Sequence, residues 1–346
     1  MKRCLTAIFA TAFVLMGGIA AHAQEVKLPK QLVMASDREG GVAHTMGSGF
    51  VSILTKYVGT RATILPVGDP SKWVPMAKDG EVDLGMTGVV NMAWTYWGTG
   101  PRKGTSHKDI SLLAVGARAQ WGFLVPEDSG VKTLADLKKW MPGKKLTHKW
   151  VNPAVDNLNI AYLRNLGYSG LEDAGLTAVP VSSYRVFTSL WNEHKVDIAG
   201  MPAGIPLVQQ MFAARKGRFM PIDTDPEAIK RMQSVEQSYY ASKPRPGMLG
   251  VETDQPMLTF DYGLSARNTL GNGVVKKILQ TLWDHQQELA KIHGALRGWL
   301  PANKLWASPN VSFPYHPGAV EFYKEKGVWT PAVEKRQEEL LAKSKG

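Results

Sequence analysis

Cysteine is almost absent from this chain, because Cys4 is the only one in 346 residues. The chain begins with Lys2 and Arg3, continues with an apolar, uncharged stretch and reaches the small-x-small sequence 21–23. This pattern is typical of a secretory signal over residues 1–23 that is cleaved after export. Since Cys4 lies inside the predicted signal, we expect the mature chain to have no disulfide, no thiolate nucleophile and no cysteine metal ligand. An exported protein without disulfides fits the bacterial periplasm better than a eukaryotic secretory route.

Long apolar runs are also lacking after the N-terminus. The alternative interpretation of the first 23 residues is a membrane anchor, but the run is slightly short of the roughly 20 residues that span a bilayer. A cleavage site follows it directly. We therefore expect a mature chain that does not itself span the membrane.

Sequence motifs for catalysis or nucleotide binding are missing as well. The chain has no G-x-G-x-x-G after a strand, no P-loop, no H-E-x-x-H and no G-x-S-x-G. Its eight histidines are scattered without metal-ligand spacing, and His316 lies in a turn-rich sequence that favours a structural role. We expect neither an enzyme nor a metal or cofactor, although acid–base catalysis by dispersed carboxylates stays open.

Negative charge is in deficit. The chain has 41 basic and 30 acidic residues, a formal net charge of +11 that falls to +9 without Lys2 and Arg3. An exported protein rarely meets nucleic acid, so the excess favours anionic ligands or an anionic membrane face. A dispersed basic surface is the alternative.

What the chain does contain is a phrase that occurs twice. Residues 82–86 read Val-Asp-Leu-Gly-Met, and residues 196–201 read Val-Asp-Ile-Ala-Gly-Met, starting 114 residues later. Each follows a helical pattern that ends in a charged turn. Two similar helix–turn–strand units predict two similar lobes, and a cleft between lobes is a common place for a ligand.

Helical and strand patterns alternate along both halves, which predicts an α/β fold with a mostly parallel sheet. The predicted elements include strands at 31–36, 145–150 and 257–265, helices at 89–97 and 274–293, and apolar runs at 112–116 and 122–125 on either side of 117–120. The second half begins with a predicted helix at 133–140, for which Thr133 is the N-cap and Asp136 the N3 residue. We assign residues 24–117 plus 226–346 to lobe I and residues 118–225 to lobe II.

Loops at strand ends are the candidate binding residues, because ligands of open α/β sheets bind beyond the carboxyl ends of strands. Helix N-termini there offer free N–H groups that suit carboxylates. Each loop taken singly is compatible with an ordinary strand–helix connection. The candidates come from four loops: Ser36, Asp37, Arg38, Gly40 and Gly41; Thr87, Gly88 and Asn91; Asn152, Pro153, Ala154 and Val155; and Ala203 and Gly204.

Further candidates lie outside these loops. Arg118 falls in the segment that would join the lobes, where it would either hold a carboxylate bidentately or remain a solvated linker residue. Several aromatic residues lie near these loops, among them Trp121, Trp150 and Tyr184. We expect most of them in the core, and one or two, with Trp121 and Trp150 as the candidates, to stack on a planar ligand.

Long stretches of the sequence resemble the TAXI-type solute-binding subunits of tripartite ATP-independent periplasmic (TRAP) transporters. The resemblance spans nearly the whole mature chain and includes residues 40–54, 80–85, 125–137, 195–199 and 316–327. The long segments 125–137 and 316–327 are the more specific, whereas the Val-Asp phrases occur in many two-lobed binding proteins. It implies a two-lobed periplasmic-binding-protein fold of type II, the cluster type. It also implies that the lobes close on a small organic acid, which a membrane permease then receives.

Two loops depart from the usual pattern of that family. The first reads Gly40-Gly41-Val42-Ala43-His44-Thr45 in place of Gly-Gly-Thr-Tyr-Tyr-Pro, which brings His44 among the candidates. The second reads Val-Asn-Pro-Ala-Val at 151–155 in place of a Gly-Ser-Gly-Thr-like sequence. Both positions would contact ligand, so the identity of the solute does not carry over and a solute other than an amino acid is favoured.

Two alternatives stay open. The same fold would serve an ABC importer or the ligand-sensing partner of a membrane kinase. An exported enzyme on this scaffold is the third hypothesis, and Asp37 and His44 are the residues whose mutation would test it.

Overall fold

The computed structural model describes residues 26–39, 41–67, 69–150 and 153–345. The predicted signal at 1–23 and the predicted site residues Gly40 and Asn152 lie outside these ranges. No helix within them is long and apolar enough to cross a membrane.

The first third of the chain alternates strands and helices as predicted. Its elements are β1 (Gln31–Ser36), α1 (Val42–Tyr57), β2 (Arg61–Pro66), α2 (Pro70–Lys78), β3 (Leu84–Gly88), α3 (Val89–Trp97) and β4 (Ile110–Pro126). The alternation arises because apolar residues recur with a period of two in the strands and near 3.6 in the helices.

The middle of the chain repeats this alternation. Its elements are α4 (Leu134–Trp140), β5 (Lys145–Trp150), α5 (Pro153–Leu166), β6 (Thr177–Val181), α6 (Tyr184–Asn192), β7 (Ala199–Pro202), α7 (Pro206–Ala214), β8 (Gly217–Phe219), α8 (Pro226–Gln233) and β9 (Tyr240–Ser242). The predicted start of α4 is confirmed: the Thr133 hydroxyl accepts the Asp136 N–H, and the Asp136 carboxylate accepts the Thr133 N–H.

The last part returns through one long strand and ends in helices. These are β10 (Met257–Arg267), α9 (Asn272–Asp284), α10 (Gln286–Ile292), α11 (Ala302–Leu305), α12 (Pro317–Glu325) and α13 (Pro331–Lys345). One long helix was expected over 274–293, but His285 ends α9 and separates it from α10. The structural role predicted for His316 is confirmed, because its Nδ1 caps α12 by accepting the Gly318 N–H at 3.1 Å.

Two long antiparallel strands run through both halves of the molecule. The main sheet has the order β2-β1-β3-β10-β4-β7, with β1 parallel to β2 and β3, and with β8 on β4. The second half adds the parallel pair β5–β6, which meets the end of the main sheet at the bridge between Leu146 and Ile198. Strands β4 and β10 therefore join two α/β lobes, and the predicted two-lobed fold is confirmed. The expectation of a mostly parallel sheet is wrong for the main sheet, because β10 pairs antiparallel with β3 and β4, and β7 and β8 pair antiparallel with β4.

The twice-used Val-Asp phrase has the same hydrogen bonds in both lobes. Asp83 donates its N–H to the Val33 carbonyl, and its carboxylate accepts the Val33 N–H, both at 2.9 Å. Asp197 makes the same two bonds with Lys145, at 3.0 and 2.8 Å. The repeat is thus a structural device that ties the start of a strand to its parallel neighbour.

A bulge marks the crossing between the lobes. The pairing of β4 with β10 shifts register between Phe260 and Tyr262, where Ala117 adopts a positive φ of 51°. Such a bulge bends both strands. We propose that the first crossing lies near residues 117 and 118, where the sequence analysis placed it. For the return crossing we favour this bulge in β10 over the boundary at 225/226, because α8 packs on α5 and its Met232 joins the core of the second lobe.

Candidate functional site

Asp37 lies at the carboxyl end of β1, where the first lobe faces the cleft. The Thr87 hydroxyl at the end of β3 donates a 2.6 Å hydrogen bond to Asp37 Oδ1. Surrounding protein raises the pKa of Asp37 to about 6, the Thr87 bond opposes that rise, and the charge of Asp69 adds to it. Strands β1 and β3 thus place at the sheet edge a carboxyl group whose pKa is well above its ordinary value.

Ser36 and His44 lie beside this carboxyl group. The Ser36 hydroxyl donates to the Asp37 carbonyl oxygen at 3.0 Å, and Ser36 Oγ is 3.1 Å from His44 Nδ1. The direction of the second contact depends on which ring nitrogen of His44 carries the proton.

Helices α1 and α3 both begin at this edge of the sheet, after β1 and β3. Gly41 is the N-cap of α1 and Gly88 the N-cap of α3, and neither helix has a side-chain cap. Their first N–H groups and the positive ends of their dipoles are therefore directed to this edge of the sheet. Arg38 is exposed in the loop before α1, and Asn91 is half-buried one turn into α3.

The second lobe contributes Tyr184, the first residue of α6. Its side chain is 60 % exposed. Partial burial and, secondly, the negative charge of Asp37 raise the pKa of Tyr184. Burial, Asp37 and then Tyr184 raise the pKa of Tyr262 on β10. Tyr184, Asp37 and Tyr262 are therefore electrostatic neighbours across the two lobes.

Aromatic rings adjoin both Tyr184 and the end of β3. Trp150 at the end of β5 has its ring centroid 5.8 Å from that of Tyr184, and Phe260 lies 5.9 Å from Tyr262. Phe260 also borders Gly88, since a Cβ added there would lie 3.6 Å from the ring. We call Trp150, Tyr184, Phe260 and Tyr262 the aromatic wall.

The structure thus brings together Ser36, Asp37, His44, Thr87 and Tyr184, with Gly41 and Gly88 at the adjoining helix starts. The other described candidates have other surroundings. Trp121 is 2 % exposed in the core of the second lobe, and Ala154 and Val155, which follow Pro153 in the first turn of α5, pack against that core. Ala203 is buried in a neighbouring core cluster, and Gly204 lies against Met248.

Arg118 has different neighbours from Asp37. Its guanidinium lies 6.0 Å from the Tyr240 ring centroid and attracts the Asp261 carboxylate, which accepts the Tyr240 hydroxyl at 2.8 Å. Asp261 and Tyr262 are adjacent in β10 and point to opposite faces of the sheet. Arg118, Tyr240 and Asp261, with Lys304 and residues 307–310, line a cavity of ≈ 180 Å³ at the back of the crossing strands.

The charge state of Asp261 predicts how stability depends on pH. Asp261 is 6 % exposed, and burial, opposed by the Tyr240 bond and by Arg118, raises its pKa from 3.8 to about 6. A raised carboxyl pKa favours folding while the group is protonated and opposes it once pH exceeds the folded-state value. We expect Asp261→Asn to gain on the order of 1–3 kcal/mol relative to the unchanged protein above pH 6, and to lose that gain below about pH 4.

Urea denaturation at several pH values measures this difference. Asp79→Asn, at the exposed end of α2, is the matched control and should follow the unchanged protein. A gain for Asp261→Asn that is the same at pH 4 and pH 8 would contradict the prediction.

Sequence reasoning did not find Phe260 and Tyr262. They lie in a strand that was predicted, but a parallel sheet gave no reason to expect an antiparallel strand inserted between β3 and β4. The alternation of aromatic, acidic and aromatic residues at 260–262 was the available signal, since it puts both rings on one face. Among the described residues no cluster of three or more histidine or acidic side chains is suited to a metal ion.

Comparison with known proteins agrees with this architecture. The model of the NMT1-like family matches residues 38–327. MatC from Rhodopseudomonas palustris with bound malate is 13 % identical, with 90 % of this chain and 99 % of that chain covered and a TM-score of 0.52. PhnD1 from Prochlorococcus marinus in complex with methylphosphonate is 15 % identical, with 87 % and 100 % covered and a TM-score of 0.51. The periplasmic aliphatic sulphonate binding protein SsuA from Escherichia coli is 16 % identical, with 90 % and 92 % covered and a TM-score of 0.45.

Proposed function

This chain belongs to the NMT1-like family, and we propose that it is an extracytoplasmic solute-binding protein that captures a small organic solute between its lobes. The observation that carries the proposal is that the charge of Asp37, at the end of β1 in one lobe, raises the pKa of Tyr184, at the start of α6 in the other. A solute that touches both residues favours the closed arrangement, because each lobe supplies part of its contacts.

The partner we propose is a TRAP-type membrane permease, on the strength of the sequence resemblance. The predicted signal over residues 1–23 would place the mature chain in the periplasm, where a closed, loaded protein meets such a permease. An ABC importer or a membrane kinase would recognise the same fold. A gene for a large TRAP-type membrane subunit beside the gene for this chain supports the first partner, and a gene for an ATPase supports the second.

The sequence also predicts an organic acid as the solute, and MatC and PhnD1 contain small anions. In this chain, however, Arg118 contacts Tyr240 and Asp261, and the side chain nearest Thr87 in the cleft is the acidic Asp37. A screen for the solute must therefore cover both signs of charge.

The test is calorimetric titration of a chain that begins at Gln24, together with small-angle scattering. We expect a solute that binds with a dissociation constant of about micromolar order, and a radius of gyration that falls on binding as the lobes close. Tyr184→Ala should weaken that solute roughly tenfold or more, since a buried aromatic contact is lost, whereas the surface control Asp79→Asn should leave it unchanged.

A chain that binds nothing in a broad panel of acids, amines and aromatic solutes would overturn this function. Turnover of a bound solute, abolished by mutation of Asp37 or His44, would favour the exported enzyme instead. Binding without turnover and with closure is the result that we expect.

A further inference from the structure

The carboxyl group of Asp37 has no basic partner. Among the described residues, none of the ion pairs includes Asp37, and its one side-chain hydrogen bond comes from the neutral Thr87 hydroxyl. A carboxylate that is partly withdrawn from water ordinarily has a cationic partner or several N–H donors. Its ionised form is therefore incompletely compensated when the cleft is empty.

The groups that face Asp37 add negative charge or none. The charge of Asp69, the N-cap of α2, acts on Asp37, and Asp69 itself is paired with Arg102. Tyr184 on α6 and Tyr262 on β10 respond to the charge of Asp37, and His44 on α1 is bonded to the adjacent Ser36. Because Asp69 is paired with Arg102, the uncompensated negative charge at this position is that of Asp37 itself.

The aromatic wall favours the same sign of ligand charge. The face of a tyrosine or tryptophan ring carries negative potential, and a cation within about 6 Å of the ring centroid is attracted to it. Tyr262 pairs with Gly88 in the sheet, next to Thr87, whose hydroxyl bonds Asp37. The charge of Asp37 also acts on Tyr262 and on Tyr184. A positively charged nitrogen between them would be attracted both to the carboxylate of Asp37 and to the faces of the two rings.

An organic acid at the same position would be repelled by the ionised carboxylate of Asp37. Two carboxylates can share a site only if a proton lies between them, which raises the pKa of one of the pair. The uncapped starts of α1 and α3 offer N–H groups to an anion, but an anion bound there would lie beside the carboxylate of Asp37.

We propose that the solute is an organic cation whose ammonium, amidinium or guanidinium group binds against Asp37 between Tyr184 and Tyr262. The proposal rests on the solute-binding function and names the chemical class of its ligand. It reverses, at this position, the sign of charge expected from the composition of the chain.

Pairs of solutes that are similar in shape and opposite in charge test the proposal by calorimetry on the full mature chain. Suitable pairs are benzylamine with benzoate, tyramine with 4-hydroxyphenylacetate, and choline with 3-hydroxypropionate. We expect the amine of at least one pair to bind at least tenfold more tightly than its acid. Asp37→Asn, which keeps an oxygen to accept the Thr87 hydroxyl, should weaken the amine about 10- to 100-fold, and Asp79→Asn should not.

A second test measures how the affinity of the unchanged protein depends on pH. A cation binds the ionised form of Asp37, so the affinity of choline or of a bound amine should rise about tenfold from pH 5 to pH 7.5. An acid that shares a proton with Asp37 would instead bind less tightly as pH rises. Asp37→Asn must abolish the dependence, and a dependence that persists in Asp37→Asn overturns the proposal.

Failure of the cationic ligand class and failure of the solute-binding function give different results. Acids that bind while their paired amines do not, with affinity that falls as pH rises, overturn the cationic class and leave the solute-binding function intact. A chain that binds neither member of any pair and nothing in the broader panel overturns both.

Discussion

Asp83→Ala is expected to destabilise the protein by about 3–5 kcal/mol, because it breaks a buried ion pair and leaves two donors unpaired. Asp83 is 5 % exposed, and its two carboxylate oxygens accept the Val33 N–H at 2.9 Å and Arg267 Nε at 3.0 Å. It therefore joins β1, the start of β3 and the end of β10 at one point. Equilibrium denaturation in urea measures the loss.

Asp197 is the matched control that the repeat supplies. It makes the same pair of bonds to Lys145, but it is only half-buried and forms no ion pair. We expect Asp197→Ala to cost about 1 kcal/mol, the value of one hydrogen bond. Equal losses for the two variants would mean that Arg267 contributes nothing and would contradict the prediction.

Most elements of the fold were predictable because their signals are local. The strand at 31–36, the helix at 89–97 and the strand at 145–150 match the predicted bounds, since their periodicity and their ends are written in neighbouring residues. Strand β4 was predicted as two apolar runs on either side of 117–120. It is one strand because β10, distant in sequence, continues to pair with it through the bulge.

The candidate site was predictable where it depends on the carboxyl ends of parallel strands. Asp37 follows β1 and Thr87 lies near the end of β3, and because those strands are adjacent, Thr87 Oγ1 comes within 2.6 Å of Asp37 Oδ1. Tyr262 and the surroundings of Arg118 were not predictable, because both depend on the antiparallel return of β10 and on the alternation of its side chains. Sequence patterns give the face of a strand but not which distant strand lies beside it.

The two glycines of the repeated phrase predict a second large effect on stability. A Cβ on Gly85 would lie 2.1 Å from Cη2 of Trp73, and a Cβ on Gly200 would lie 1.9 Å from Oδ1 of Asn159. Both neighbours are buried: Trp73 is 1 % exposed, and Asn159 is fully buried and donates to the Thr147 carbonyl at 2.9 Å. Each glycine therefore lets a helix pack closely on the strand that contains it.

We expect Gly85→Ala to cost about 3 kcal/mol, because the rigid indole must move and the surrounding core cannot expand without loss of contacts. Gly200→Ala should cost about 2 kcal/mol, because a rotation of Asn159 that clears the methyl group breaks its bond to Thr147. Gly170→Ala, where a Cβ would meet nothing within 4 Å, is the control and should stay within about 0.5 kcal/mol. Denaturation curves of the three variants decide the matter: if Gly85→Ala is as stable as Gly170→Ala, the phrase owes its glycine to something other than the packing of α2. If the losses appear as expected, the recurrence of Val-Asp with a nearby glycine reflects the same requirement in each lobe, a strand tied at its start by aspartate and approached closely by a helix.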